Sequence, residues 1–192
     1  MTATPHTAHN PYTPHSIETA PPAAKDILAG AAKAYGFIPN LLGVMAEAPA
    51  LLKAYTTLSS IFEDSGLTAT ERQIVLLSAS FENGCDYCMA AHSVIAGMQK
   101  VPAAVVGAVR DGTPIDDPKL EALRRFTAAV VSTRGRPSAT DTAAFLGAGY
   151  SRARVLDVVL GVGLKTLSNY TNHIAETPLD EAFAAAAWSK AA

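Results

Sequence analysis

From Pro22 onward the chain is punctuated as a series of helices. Stop and start signals recur at helix-length intervals, and no stretch beyond a few residues alternates apolar and polar side chains as a strand would. PAAKDILAGAAKAYG reads as a first helix stopped at Gly36, and Pro39 in FIPN pushes Ile38 away from helical angles. LLGVMAEA is a short second helix, and Pro49 suits the first turn of a third, ALLKAYTTLSSIFEDSG, which stops at Gly66. Thr68 to Glu71 has the form of a capping box. The helix it opens carries Ile74, Val75, Leu76, Leu77 and Phe81 and stops at Asn83-Gly84, both tolerant of left-handed angles. A new helix starts near Cys85 and runs to about Gly97. Pro102 opens the next, which ends near Gly112, and Asp117-Pro118 caps KLEALRRFTAAVVSTR. Ser138 to Asp141 starts a short helix ending near Gly147. Ser151 caps RARVLDVVLGVGLKTLSNYTNHIAE, whose first half is apolar nearly all round and is therefore expected to be buried in the core or in a subunit interface. LDEAFAAAAW is expected to close the chain as a short helix. The reading is all-α: a helical domain over residues 23–192, preceded by a flexible arm, residues 1–22, rich in Pro, Thr and His.

Composition narrows the function classes. A chain of 192 residues is expected to form one domain with a sizeable core. Only 17% of its residues are charged, so other copies of the chain are expected to cover part of its surface. With a net charge of -2 and no Lys/Arg cluster interleaved with aromatics, nothing draws it to nucleic acid or to an anionic membrane. No apolar run reaches the ~18 residues of a membrane span. The opening MTATPHTAHNPYTPHSIETAPP has no charged start followed by an apolar stretch, so a cytoplasmic location is expected by default. His6, His9 and His15 are not expected to hold a metal, because a mobile arm loses entropy in converging on an ion.

The chemistry is concentrated in ENGCDYCMAAH, residues 82–92, which contains the only two cysteines. In a reducing compartment such a pair is more often catalytic or metal-binding than a structural disulfide. On a helix, Cys85, Cys88 and His92 fall within a sector of about 60°, so one face presents two thiols and an imidazole. Cys85 lies near the helix start, where free amides and the helix dipole favour a thiolate. His92, one turn beyond Cys88, is placed to take or stabilise a proton. Glu82 closes the preceding helix and is a candidate to orient the histidine or relay a proton. A zinc site needs four ligands, and no second CxxC or HxxxH completes one; His173 or Glu82 would have to serve. The spacing thus favours redox chemistry, with no metal and no cofactor. His173 reads as an ordinary surface or core residue. Two buried core thiols remain the bland alternative.

The stretch ERQIVLLSASFENGCDYCMAAH resembles the AhpD-like alkylhydroperoxidases of the carboxymuconolactone decarboxylase superfamily, whose motif is a glutamate in one helix, then CxxC, three residues and a histidine. YGFIPNLLGVMAEAPALLKAY and NYTNHIAETPLDEAF are similar to the family's flanking segments, so the likeness spans roughly residues 25–184. The resemblance implies an AhpD-like helical bundle, a homo-oligomer (a trimer or larger), and a thiol-dependent peroxidase of peroxiredoxin type. It implies that Cys88 attacks a hydroperoxide, that Cys85 condenses with the resulting sulfenic acid, and that His92 serves the proton relay. A dithiol reductant or its carrier protein would reset the pair. Two positions depart from the pattern: Gln73 stands where the best-studied members carry the glutamate, and Tyr87 where they carry a histidine between the cysteines. Glu82 is then a candidate for the displaced carboxylate, and a Gln73→Ala change is expected to matter little. A protein disulfide reductase using the same CxxC, a zinc-stabilised helical binding module and a non-enzymatic helical assembly protein are the competing readings.

Overall fold

The computed structural model describes residues 12–190, and none of these forms a strand. The described chain folds into α1 (Pro22–Tyr35), α2 (Asn40–Met45), α3 (Pro49–Glu63), α4 (Ala69–Asn83), α5 (Asp86–Met98), α6 (Ala103–Asp111), α7 (Pro118–Ser132), α8 (Ala139–Gly147) and α9 (Arg152–Ala175). None of these helices is long and apolar enough to cross a membrane. The punctuation works as its chemistry requires. Thr68 accepts the Glu71 amide while the Glu71 carboxylate accepts the Thr68 amide, and Ser138 and Asp141 repeat the arrangement. The Asp117 carboxylate accepts the amides of Lys119 and Leu120. Gly36, Gly84 and Gly112 end their helices in the left-handed region, where a side chain would be strained.

Helix α4 is the axis of the bundle, with α5, α6, α7 and α9 packed around it. Ile74, Val75 and Leu77 on α4 pack with Phe62, Met89, Leu123 and Leu164 in one apolar cluster. Phe126, Phe145 and Tyr150 stack through it at centroid distances of 4.4 Å. A second cluster joins Leu28, Leu41, Met45 and Leu52 from α1–α3 to Cys85 and Cys88. The cysteines therefore sit where the α1–α3 layer closes on the main bundle.

Gly161 sets the spacing of α9 against this core. A Cβ at that position would lie 2.6 Å from a Val75 methyl and 2.8 Å from two Phe62 ring carbons. Only glycine lets the helix approach so closely. Burial of the first half of α9 is one-sided in the single chain: Val158 and Gly161 face inward, while Leu156 and Val159 are exposed.

Two segments differ in detail from the sequence expectation. Of the arm expected over residues 1–22, residues 12–21 are docked, and residues 1–11 lie outside the described residues. The His15 amide donates to the Gly43 carbonyl, its ring bonds the Glu47 carboxylate at 2.8 Å, and Ala20 is buried. Ile17 and Ala20 join the second apolar cluster, which offsets the entropy of ordering the segment. His6 and His9 lie outside the described residues. The last helix is a 3-10 segment, Glu181–Ala186, rather than α. Its Asp180 spends its carboxylate on the Asn40 amide of α2 instead of capping its own turn, and Arg110 takes the Ala186 and Ala187 carbonyls. A helix this short has little cooperativity to resist such contacts.

Candidate active site

Cys85 is the residue at the start of α5, extended and not yet helical, and Cys88 falls in the first turn. The positive end of the helix therefore serves Cys88 at least as directly as Cys85. Both sulfurs are unbridged and 1% exposed. From the opposite side α9 presents a stripe of buried polar residues: Lys165, Ser168, Asn169 and Asn172. Their spacing puts them on one face of that helix. The Asn172 amide donates to Cys88 Sγ at 3.2 Å and lies 3.7 Å from Cys85 Sγ.

The two thiols have opposite acid strengths. Burial opposes ionisation of Cys88, but a hydrogen bond from Cys85, the Lys165 charge and the Ser168 hydroxyl together push it well below the ordinary thiol range. The same hydrogen bond to Cys88, then burial, push Cys85 far upward. In the coupled pair both shifts favour the thiolate at Cys88. This corrects the expectation that the helix start would favour the thiolate at Cys85: the hydrogen bond and the buried cation both favour the second sulfur.

Lys165 was not anticipated as a site residue. It is 1% exposed, no nitrogen or oxygen of the described residues accepts from its Nζ, and it acts on Cys88 by charge and hydrogen bond and on Cys85 and His92 by charge. A buried ammonium is costly unless an anion faces it, and the Cys88 thiolate is the anion available. The sequence signal was there to read: one lysine inside the apolar run LDVVLGVGLKTL, followed at helical spacing by serine and asparagine.

His92 is on the wall of the same cleft as Cys88 and Lys165. Burial, then the Lys165 charge, push its pKa well below the ordinary value, so the ring is neutral. Gln73 donates its amide to Gln99, leaving its carbonyl to accept the Nδ1–H of His92 at 3.1 Å. That fixes the tautomer and leaves Nε2 as the proton acceptor. Gln73 is 4% exposed and holds the histidine, so its replacement by alanine is expected to slow turnover rather than to matter little.

Glu82 does not join the site. It lies nine residues from Gln73 on α4, about half a turn around the helix, and its carboxylate acts on Arg124 of α7. The carboxylate relay expected from it is not formed. Tyr87, between the cysteines, donates to Asp180 at 2.5 Å and accepts the Leu41 amide at 3.2 Å. It tethers the C-terminal segment to α5, and Phe183 packs edge-on against it. Among the described residues no three histidine, cysteine or carboxylate side chains gather as a metal ion requires.

Cys88, Lys165 and His92 open onto a cleft of about 660 Å³ walled by α1, α3, α4 and α5. Its lining is mainly apolar and aromatic, with Tyr35, Phe37, Tyr55, Phe62 and Phe183 contributing rings. Such a cleft holds an organic molecule with one end against the sulfur.

The comparisons with known proteins agree with this frame. The model of the carboxymuconolactone decarboxylase family matches residues 49–129, from α3 into α7. No curated protein sequence matches significantly. Among solved structures, an alkylhydroperoxidase AhpD core, an uncharacterized peroxidase-related protein from Ralstonia eutropha JMP134, superposes with a TM-score of 0.78 at 20% identity, over 90% of this chain and 95% of that one. A peroxidase-related protein from Silicibacter sp. TM1040 gives a TM-score of 0.75 at 17% identity, over 90% and 94% of the two chains. A cysteine-to-alanine variant of the debrominase Bmp8, in complex with 2,3,4-tribromopyrrole, gives 0.77 at 18% identity, over 92% and 95%. The match over residues 49–129 makes this part of the chain similar to the carboxymuconolactone decarboxylase family, and the superpositions show that the fold is an AhpD-like helical bundle.

Proposed function

We propose that the protein is a thiol-dependent peroxidase that reduces organic hydroperoxides through Cys88 and Cys85. The observation that carries this reading is the buried Cys88 sulfur, three residues from Cys85, hydrogen-bonded by Asn172 and set with Lys165 and His92 against an apolar cleft of about 660 Å³. In the reaction the thiolate attacks the outer oxygen of the hydroperoxide. The O–O bond breaks, an alcohol leaves once protonated, and Cys88 becomes a sulfenic acid. The Cys85 thiol then attacks Cys88 Sγ and water departs, leaving a disulfide. An external dithiol reduces it and is itself oxidised. His92, neutral and held by Gln73, accepts protons at Nε2 during these exchanges.

Thiol counting tests this directly. The reduced protein is expected to lose two thiols per chain on one equivalent of cumene hydroperoxide and to recover them with dithiothreitol. Retention of both thiols under excess hydroperoxide sinks the reading. Reduction of protein disulfides fits less well, because sulfurs that are 1% exposed do not meet a bulky partner.

A second reading has one observation in its favour: the cleft is ringed by aromatic side chains, and a similar fold belongs to a debrominase. Reductive removal of bromine from an aromatic ring also turns two thiols into a disulfide, with bromide and a proton released. Bromide release from 2,3,4-tribromopyrrole by the reduced protein would favour this reading, and its absence alongside rapid hydroperoxide turnover would discard it.

We further infer a homo-oligomer. Leu156, Val159, Tyr170 and Ile174 are exposed on one side of α9 and form an apolar strip suited to a second copy. Sedimentation at micromolar concentration is expected to show a species larger than 19.9 kDa, and Ile174→Glu to shift it toward the monomer.

A further inference from the structure

We propose that Lys165 is a catalytic residue, the acid that protonates the alkoxide oxygen expelled when Cys88 cleaves the peroxide bond. The inference rests on the peroxidase reading above and adds the source of the proton that reading leaves unassigned.

The geometry supports it in three ways. Lys165 lines the same cleft as Cys88 and His92, so the alkoxide expelled by attack of Cys88 is released beside it. No nitrogen or oxygen of the described residues accepts from its Nζ, which bears on the Cys88 sulfur, so the three-donor ammonium keeps donors for a substrate atom at that sulfur. Among the described residues no carboxylate lies within ion-pairing distance of it. The titratable groups around it are Cys85, Cys88 and His92 of α5, with Tyr55 of α3 against the cysteines. None of the others supplies the proton as readily. The ring of His92 is neutral and its one N–H is committed to Gln73. Cys85 needs its own proton to leave with water in the following step.

The cycle balances. The Cys88 thiolate and ROOH give the sulfenic acid and RO⁻, and Lys165 passes RO⁻ a proton to release ROH. Cys85–SH and Cys88–SOH then give the disulfide and water. An external dithiol returns both cysteines as thiols, and Cys88 hands its proton to the neutral Lys165 amine, restoring the thiolate–ammonium pair. The lysine is thus recharged by the sulfur it activates.

The test separates this role from simple stabilisation of the thiolate. Lys165→Met and Lys165→Arg are compared with wild type in single-turnover oxidation of Cys88, and each rate is divided by the thiolate fraction found from iodoacetamide alkylation. Two oxidants are used. tert-Butyl hydroperoxide expels an alkoxide whose conjugate acid is about as weak as water, so it needs a proton to leave. Peracetic acid expels a carboxylate with a pKa of ~4, which needs no proton.

Lys165→Met is expected to lose on the order of 100-fold per thiolate with tert-butyl hydroperoxide and no more than about 3-fold with peracetic acid. Lys165→Arg keeps a cation but not a transferable proton, so it should retain the thiolate and show the same split between oxidants. If Met at this position does not fold, the arginine variant alone decides. Equal losses for both oxidants, or none once thiolate is divided out, overturn the proposal. If no hydroperoxide oxidises the wild type, the peroxidase reading fails and takes this proposal with it. If wild type reacts and the variants lose nothing per thiolate, the proposal alone fails.

Discussion

Replacing Cys88 with serine abolishes hydroperoxide turnover, a loss on the order of a thousand-fold or more, because Cys88 is the one thiol among the residues lining the cleft. Replacing Cys85 has a different outcome. In Cys85→Ser the new hydroxyl still donates to the Cys88 thiolate, so the first oxidation survives. With no resolving sulfur, the protein consumes one equivalent of hydroperoxide and stops as a sulfenic acid, which a sulfenic-selective dicarbonyl reagent traps. The comparison also tests the order of the sulfurs. The hydrogen bond between them and the Lys165 charge favour the thiolate at Cys88. If Cys88→Ser traps the sulfenic acid and Cys85→Ser is inert, the order is reversed. Rates for both variants should be read against alkylation by iodoacetamide, which reports the thiolate without any peroxide chemistry.

Gly161→Val is expected to destabilise the protein by about 1–3 kcal/mol and to disable the thiols more than 10 Å of helix away. Its Cβ would overlap Val75 and Phe62, both fully buried, and neither has space to withdraw. Relief requires α9 to move off α4. The Lys165 ammonium and the Asn172 amide ride on the same helix, one and three turns further on, so they move away from Cys88 with it. Two readouts should therefore change together: the melting temperature, lower by several degrees at fixed protein concentration, and the alkylation rate of Cys88 at neutral pH, lower because the thiolate loses its partners. A variant that melts early but alkylates at the wild-type rate would show that the site does not depend on this close approach.

How much of this could be read from the chain depends on whether the signal was local. Helix boundaries are local: the hydroxyl of Thr68, the freedom of Gly84 and the ring of Pro118 act within a few residues, so the reading found them. The CxxC and His92 are also local, since one helix presents all three. The rest of the site comes from elsewhere. Lys165 lies 77 positions after Cys88, and its role depends on how closely α9 packs, which rests on Gly161. Gln73 was judged by what it lacks, a transferable proton, when its work is to hold His92 through the carbonyl. Glu82 was misread for the opposite reason. It is near Cys85 in sequence, but a helix turns its side chain toward Arg124. The docking of residues 12–21 was missed because Pro and Thr content describes how an isolated segment behaves, not the apolar groove that receives Ile17 and Ala20.

The C-terminal segment is fastened at both ends, by Asp180 to Tyr87 and by Arg110 to the carbonyls of Ala186 and Ala187. Beyond that clamp lies Trp188, the only tryptophan of the chain. Its indole N–H donates to the Arg110 carbonyl and its ring lies against Phe81, with centroids 5.7 Å apart. Phe81 is four residues before Cys85, on the helix that ends at the redox pair. The protein therefore carries its single tryptophan at the place where its tail meets that helix. Its emission reports seating of the tail separately from the tyrosines distributed through the bundle, so one optical signal can follow the segment that is latched to the residue between the cysteines.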